Sequence, residues 1–251
     1  MEKKGQLAIF VIVAILIVGV ILAVILVPKL DIIGSEVFTP TGFLKSCIEP
    51  ELRKGIDVLS NQGGYFNPEG FIIFNDSKVK YLCYNAENYR PCLVQEPVLK
   101  MHFEDELENY IAPVIRTCVS NLEKEYRRQG FTVTTGSVEQ ELSIVPGKIN
   151  LKVNAPLTVI KETSNKFDSF DISLDSKMYD LLLTATSIVE FEAVLGDSET
   201  SLYIRYYPDL SINKVQLADG STIYILSNIV SREKFIFASR SLVWPPGYGL
   251  E

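Results

Sequence analysis

The chain opens on an unbroken apolar run and then switches to periodic patterns. Residues 7–27 read LAIFVIVAILIVGVILAVILV and hold no charged or polar side chain. A helix of that length covers about 30 Å, the depth of a bilayer hydrocarbon core. Pro28 and Lys29 end the run, and Lys3 and Lys4 stand before it. Basic residues favour the cytoplasmic side, so the amino terminus is expected inside and everything after residue 28 outside. A cleaved signal peptide fits poorly, because the run is long and no small-x-small site follows. An uncleaved anchor and a buried core helix are the plain alternatives.

Beyond a linker at residues 29–40, Leu44, Ile48, Leu52, Ile56 and Leu59 recur near every fourth position, which predicts a helix from Thr41. Pro50 is expected to kink it or restart it, and Asn61-Gln62-Gly63-Gly64 to stop it. Two short strands, 71–74 and 79–84, flank the turn Asn75-Asp76-Ser77. A second helix is expected over 103–129, with Leu107, Ile111, Ile115, Cys118 and Leu122 on one face. Glu104, Asp105 and Glu106 would then sit in its first turn, where the helix dipole favours negative charge and no calcium is required.

After Phe131 the period falls to two. Leu142 and Ile144, then Ile149, Leu151 and Val153, flank Pro146-Gly147 as a hairpin. Leu157 and Val159 extend it past Pro156, and Phe170, Ile172 and Leu174 mark another strand. A third helix is expected over 176–195, with Met178, Leu181, Leu182, Ala185, Ile188 and Val189 inward. Asp219-Gly220 suits a two-residue hairpin turn, and 231–239 a last strand. The fold class is therefore α+β: an N-terminal transmembrane or assembly helix, then a mixed helix and antiparallel-sheet ectodomain. The expected division is 1–28 tip and spanning helix, 29–40 linker, 41–130 helical subdomain bearing the cysteines, and 131–251 β-rich subdomain with one helix.

Charge narrows the partners. The 251 residues carry net −7, and the first six carry +1, so the remainder carries −8. An acidic ectodomain argues against nucleic acid, leaving the lipid bilayer and other copies of the chain as expected partners. The four cysteines, Cys47, Cys83, Cys92 and Cys118, all follow the apolar run, and an even number outside the cell suggests disulfides. Of three open pairings, the short CYNAENYRPC segment favours Cys83–Cys92, and the two predicted helices favour Cys47–Cys118. Zinc is the competing reading, but no CxxC occurs, and the one histidine, His102, is not at ligand spacing. His102 is expected just ahead of a helix and solvated.

No nucleophile elbow, HExxH, phosphate loop or dinucleotide glycine pattern occurs, so no enzyme, cofactor, catalytic residue or metal ligand is expected. Carboxylates are plentiful, but nothing selects a hydrolytic pair. Asn75 heads the only Asn-x-Ser/Thr sequon, a candidate for N-glycosylation. Aromatics cluster at Tyr65-Phe66, at 203–207 and at 235–237; on strands they are usually core, whereas an exposed aromatic edge would suit protein contact.

Lys3-Lys4-Gly5-Gln6 before the apolar run resembles the class III leader of archaeal type IV pilin-like proteins, in which a peptidase cuts after the glycine. Cleavage between Gly5 and Gln6 would free an apolar helix for a filament core. Phe10 departs from the pilin pattern, where bacterial members carry glutamate. The whole chain resembles uncharacterised single-span surface proteins of small-genome archaea. The matching features are the KKGQ start, Ser46-Cys47, Gln62-Gly63-Gly64-Tyr65, Cys118 on the second helix and Pro245-Pro246-Gly247-Tyr248. The leading expectation is a membrane-anchored or pilin-like structural subunit that self-assembles. An anchored binding or adhesion module is the alternative, and an anchored hydrolase comes third.

Overall fold

The computed structural model describes residues 13–18 and 39–244. Residues 13–18 are helical and exposed; the rest of the apolar run, Gly5-Gln6, residues 28–38 and Pro245-Pro246-Gly247-Tyr248 lie outside the described residues. Among the described residues no helix is long and apolar enough to cross a membrane. Met1–Thr39 and Pro40–Glu251 are two compact units. The second is α+β, with sheets that are mainly antiparallel.

The four-spaced stripe from Leu44 to Leu59 is buried along α1 (Pro40–Asn61). The helix runs through Pro50 without restarting, so of the two expectations, a kink or a restart, the restart does not hold. Pro50 removes one backbone donor on an exposed side, while the buried stripe continues through it. α1 packs on α2 (Leu99–Arg128), and the Cys47–Cys118 disulfide joins them.

α2 begins four residues earlier than the sequence suggested, and no acidic residue lies in its first turn. The acidic run therefore does not complement the helix dipole there. Glu104 accepts a hydrogen bond from the Ile144 amide at 2.6 Å, and Glu108 accepts one from the Leu142 amide at 3.0 Å. One helical turn, about 5.4 Å, and two strand residues, about 6.8 Å, are close enough for this match. The amides belong to the outer edge of β5 (Glu139–Val145), so the helix caps an edge that would otherwise be open. Arg127 does the same for β4 (Thr132–Thr135), donating to the Val133 carbonyl at 3.0 Å.

β4 and β5 pair with one side of β6 (Lys148–Ile160), and β7 (Ser164–Asp175) pairs with the other. β6 alternates buried and exposed positions over its 13 residues, as a half-buried strand should. Pro156 falls where the β6–β7 register shifts, which lets the strand pass a residue that cannot donate.

The larger sheet has the order β1 (Phe71–Phe74), β2 (Ser77–Tyr84), β10 (Lys234–Arg240), β9 (Thr222–Asn228), β8 (Leu210–Gln216), with β3 (Leu93–Val94) also on β2. β2 and β10 run parallel, so the last strand closes against an early one. The β8–β9 connection is not the expected two-residue turn. Gly220 N donates to Leu217 O at 3.0 Å and Leu217 N to Ser221 O at 2.8 Å, a three-residue loop with Gly220 at φ +83°.

Between the sheets' sequences lie α3 (Met178–Leu195) and the short α4 (Ser201–Tyr206), which the sequence did not suggest. The six expected residues of α3 are buried, together with Glu192. One core joins α1, α2 and α3 to the inner faces of both sheets, with Phe103, Phe235 and Phe237 at its middle.

Candidate binding groove

Both expected disulfides are present, with Cα separations of 6.0 Å for Cys47–Cys118 and 5.3 Å for Cys83–Cys92. They close loops of 71 and 9 residues, which in the chain-entropy account stabilises the fold by about 4 and 2.5 kcal/mol. Asn75 and Asp76 sit at the exposed tip of the β1–β2 hairpin, both at positive φ, so the sequon is accessible. His102 is neither ahead of a helix nor solvated. It lies in the first turn of α2, its ring against Tyr65 at 3.9 Å and its Nδ1 3.7 Å from the Glu96 carboxylate. Its Nε2 is buried without a hydrogen-bond partner among the described residues. Tyr65 donates to the same carboxylate at 2.8 Å, and burial followed by Glu96 raises the Tyr65 hydroxyl pKa. Among the described residues no group of three His, Cys, Asp or Glu could hold a metal.

Glu192 is the buried carboxylate of the unit, 3% exposed on the inner face of α3. It accepts from Tyr224, from the Ser198 amide at 3.2 Å and from Ser239 at 3.1 Å. Burial raises its pKa, while these three donors oppose the rise. Above it a strap, residues 241–244, crosses from β10. Ser241 Oγ donates to the Glu192 carbonyl at 2.9 Å and accepts from Cys92 N at 2.9 Å. Tyr89 N and Leu242 N bond the strap to the Cys83–Cys92 loop. The strap rests on Gly196 and Gly220, where an added Cβ would lie 2.5 Å from Leu242 and 2.3 Å from Val243.

Among the described residues the opposite face of α3 has no such cover. This helix is apolar on both sides, and Leu183, Phe191, Val194 and Leu195 stay exposed, Val194 at 73%. α4 lies beside them and adds Leu202 and Tyr206, with Tyr207 directly after it; these tyrosines are 76% and 62% exposed. The segment 203–207 is thus an exposed aromatic edge on a helix, whereas 235–237 is core. A groove runs between α3 and α4. Its more apolar end is an open cavity of about 520 Å³ walled by Phe191, Leu202 and Tyr206 with Glu199 beside them; its polar end, about 380 Å³, sets Lys177, Asp180, Thr184, Asp209 and Asn228 among Leu181, Leu183, Pro208 and Leu210. Tyr203 and Tyr207 belong to both.

The groove is fixed by a few bonds. Ser187 and Tyr203 hydroxyls meet at 2.8 Å and tie α4 to α3. The Asp209 carbonyl accepts from Ile229 N at 2.8 Å, which sets Asp209 beside the end of β9. There Asn228, only 9% exposed, spends its Oδ1 on the amides of Val230 and Ser231 at 3.1 and 2.8 Å. Its Nδ2 donor has no partner among the described residues, and neither do the Asp180 and Asp209 carboxylates or the Lys177 ammonium. Sequence reasoning named none of these polar residues. The available signal was α3 itself, which carries too much apolar surface for one buried face. No family model, no curated protein and no solved structure matches the chain.

Proposed function

We propose that the chain is an extracytoplasmic recognition domain, held at a membrane by residues 7–27, that takes its ligand in the α3–α4 groove. The observation that carries this is an open groove walled by Tyr203, Tyr206 and Tyr207, with the water-exposed side chains of Lys177, Asp180 and Asp209 gathered at one end. A concave surface with apolar and aromatic walls and a few convergent polar groups is the usual form of a binding site. The two disulfides favour an oxidising location. The apolar run, preceded by Lys3 and Lys4, favours an anchor with the domain outside. The resemblance to single-span archaeal surface proteins points the same way.

The second reading is a pilin-like subunit that assembles through its N-terminal helix and the outer face of α3. Val194 and Leu195, 73% and 59% exposed, favour it, as does the Gly5-Gln6 step. Electron microscopy of native surface preparations, with N-terminal sequencing, separates the two. Membrane-held single chains that keep residues 1–5 are the outcome expected of a recognition domain. Filaments built of chains beginning at Gln6 would establish the second reading instead. Four free thiols in the native protein would remove the outside location from both.

A further inference from the structure

We infer that the α3–α4 groove docks a basic segment of another protein, with an apolar side chain set between two cations, an assignment that rests on the recognition reading above. The apolar surface is the first observation. Phe191, Val194, Leu202 and Tyr206 are all exposed on neighbouring helices. A contiguous apolar patch rimmed by charge marks an interaction site. Tyrosine carries such contacts well, since its ring gives area and has only two rotatable bonds. Ser187 already holds the Tyr203 hydroxyl at 2.8 Å, so that wall is ordered before a partner arrives.

Charge selects the partner. Asp180 and Asp209 line one end and Glu199 the other, and Lys177 is the one cation among the lining residues. The Ser201 amide donates to Glu199 at 2.9 Å and holds that carboxyl below its usual pKa, so it stays charged. Outside the groove, over the same stretch 177–209, Glu190 and Asp197 add exposed carboxylates and Arg205 a cation; Asp197 is spent on Lys214. The surface is therefore net acidic, and a cation that passes over a tyrosine face is attracted further. From Asp180 to Phe191 α3 rises about 16 Å, the span of about five extended residues. A cation at one end of such a segment meets Asp180 and Asp209, and a cation at the other meets Glu199. An apolar side chain between them lies on Tyr203 and Tyr207, which border both ends. Other occupants suit these charges less. A second copy in an isologous contact sets the same carboxylates against each other, and an anionic lipid surface repels them.

The test is full-length chain in phosphatidylcholine nanodiscs, disulfides intact, titrated with short peptides that share a central aromatic or aliphatic residue and differ only in their flanks: lysine and arginine, serine, or glutamate and aspartate. The expected result is a basic peptide bound with a Kd below about 1 mM, and about tenfold more tightly than its serine and acidic counterparts. Asp180→Asn combined with Asp209→Asn should remove most of that preference, and Tyr207→Ala should weaken binding by about tenfold, each with an unchanged denaturation midpoint. Serine-flanked or acidic peptides bound as tightly as basic ones, and lost with Tyr207→Ala, would overturn the basic assignment and leave the recognition reading standing. Association of two copies, or adsorption to phosphatidylserine vesicles, that Tyr207→Ala abolishes would name a different occupant and overturn it too. Basic-peptide binding insensitive to all these substitutions would place the partner elsewhere. Binding of no peptide overturns the docking assignment, and the form of the native protein, single chains or filaments, decides the recognition reading separately.

Discussion

The two faces of α3 are built on opposite rules. On the inner face Glu192 is buried, and Tyr224, Ser239 and the Ser198 amide converge on its carboxylate, although the buried Ser198 hydroxyl has no partner among the described residues. On the outer face Asp180, within the same helix, and Asp209 and Asn228 beside it have polar atoms that nothing in the described chain uses. A polar group taken out of water must be hydrogen-bonded, so the inner set belongs to the fold. Asp180 and Asp209 are exposed, and a water-bound polar group on a concave surface can exchange that water for a ligand. Substitutions on the inner side should therefore cost stability, and those on the outer side should cost binding alone.

The largest effect is expected at the strap. Gly220 has φ +83°, and an added Cβ would come within 2.3 Å of Val243. Gly220→Ala must strain the turn and lift residues 241–244, at about 3 kcal/mol in all. Chemical denaturation followed by the fluorescence of Trp244, the sole tryptophan, reads both the midpoint and the local release. A midpoint unchanged by the substitution would mean that the strap is not clamped. Opening the Cys83–Cys92 loop by the double change to alanine should cost about 2.5 kcal/mol, because the same loop holds Tyr89 and Arg90 against the strap.

Next in size are the carboxylates that cap the β5 edge. Glu104→Ala leaves the Ile144 amide without its partner, and Glu108→Ala does the same to Leu142, at about 1–2 kcal/mol each. Amide hydrogen exchange should rise at those two residues before it rises elsewhere in the sheet. If the amides stayed protected, the helix would not be what closes that edge.

How far the sequence could be read follows the same division. The inner face of α3 was legible because Met178, Leu181, Leu182, Ala185, Ile188 and Val189 keep a helical period, and the cysteine pairs because two of them share a short loop. Glu192 was not, since periodicity counts it as polar and assigns it to solvent. The parallel β2–β10 pair joins residues far apart in the chain, and no local pattern announces it. The Asp219-Gly220 step announced a hairpin correctly but not its length, since the same dipeptide serves a two-residue turn and the third position of a longer one. The groove was least legible of all. Its polar end gathers Asp180 from α3, Asp209 from a loop and Asn228 from the end of β9, and α4 is too short to show a period.

Glu192 also sets a pH dependence. Its folded pKa is raised by burial, so the native chain holds that proton to a higher pH than the unfolded chain does. The stabilising contribution is complete below the ordinary glutamate pKa and is lost as pH rises through the raised folded value. Glu192→Gln cannot titrate, so its stability curve should be flatter across that window than the parent's. Equal slopes in the two proteins would show that Glu192 is not the group responsible.

The sharpest comparison needs only two tyrosines, one from each side. Tyr224 is fully buried and gives its hydroxyl to Glu192; Tyr207 is 62% exposed on the groove. Tyr224→Phe removes one oxygen and leaves the carboxylate short of a donor, for a loss of about 1–2 kcal/mol. Tyr207→Ala removes a whole ring, yet the only bonds of that residue that shape the groove are backbone ones, Tyr207 N to Tyr203 O and Leu210 N to Tyr207 O, which survive the change. Its midpoint should stay within about 0.5 kcal/mol of the parent's. The smaller chemical change thus has the larger expected effect on folding. If denaturation instead showed Tyr207→Ala to be the costlier of the two, the outer face of α3 would be part of the fold and the groove would lose its claim to a ligand.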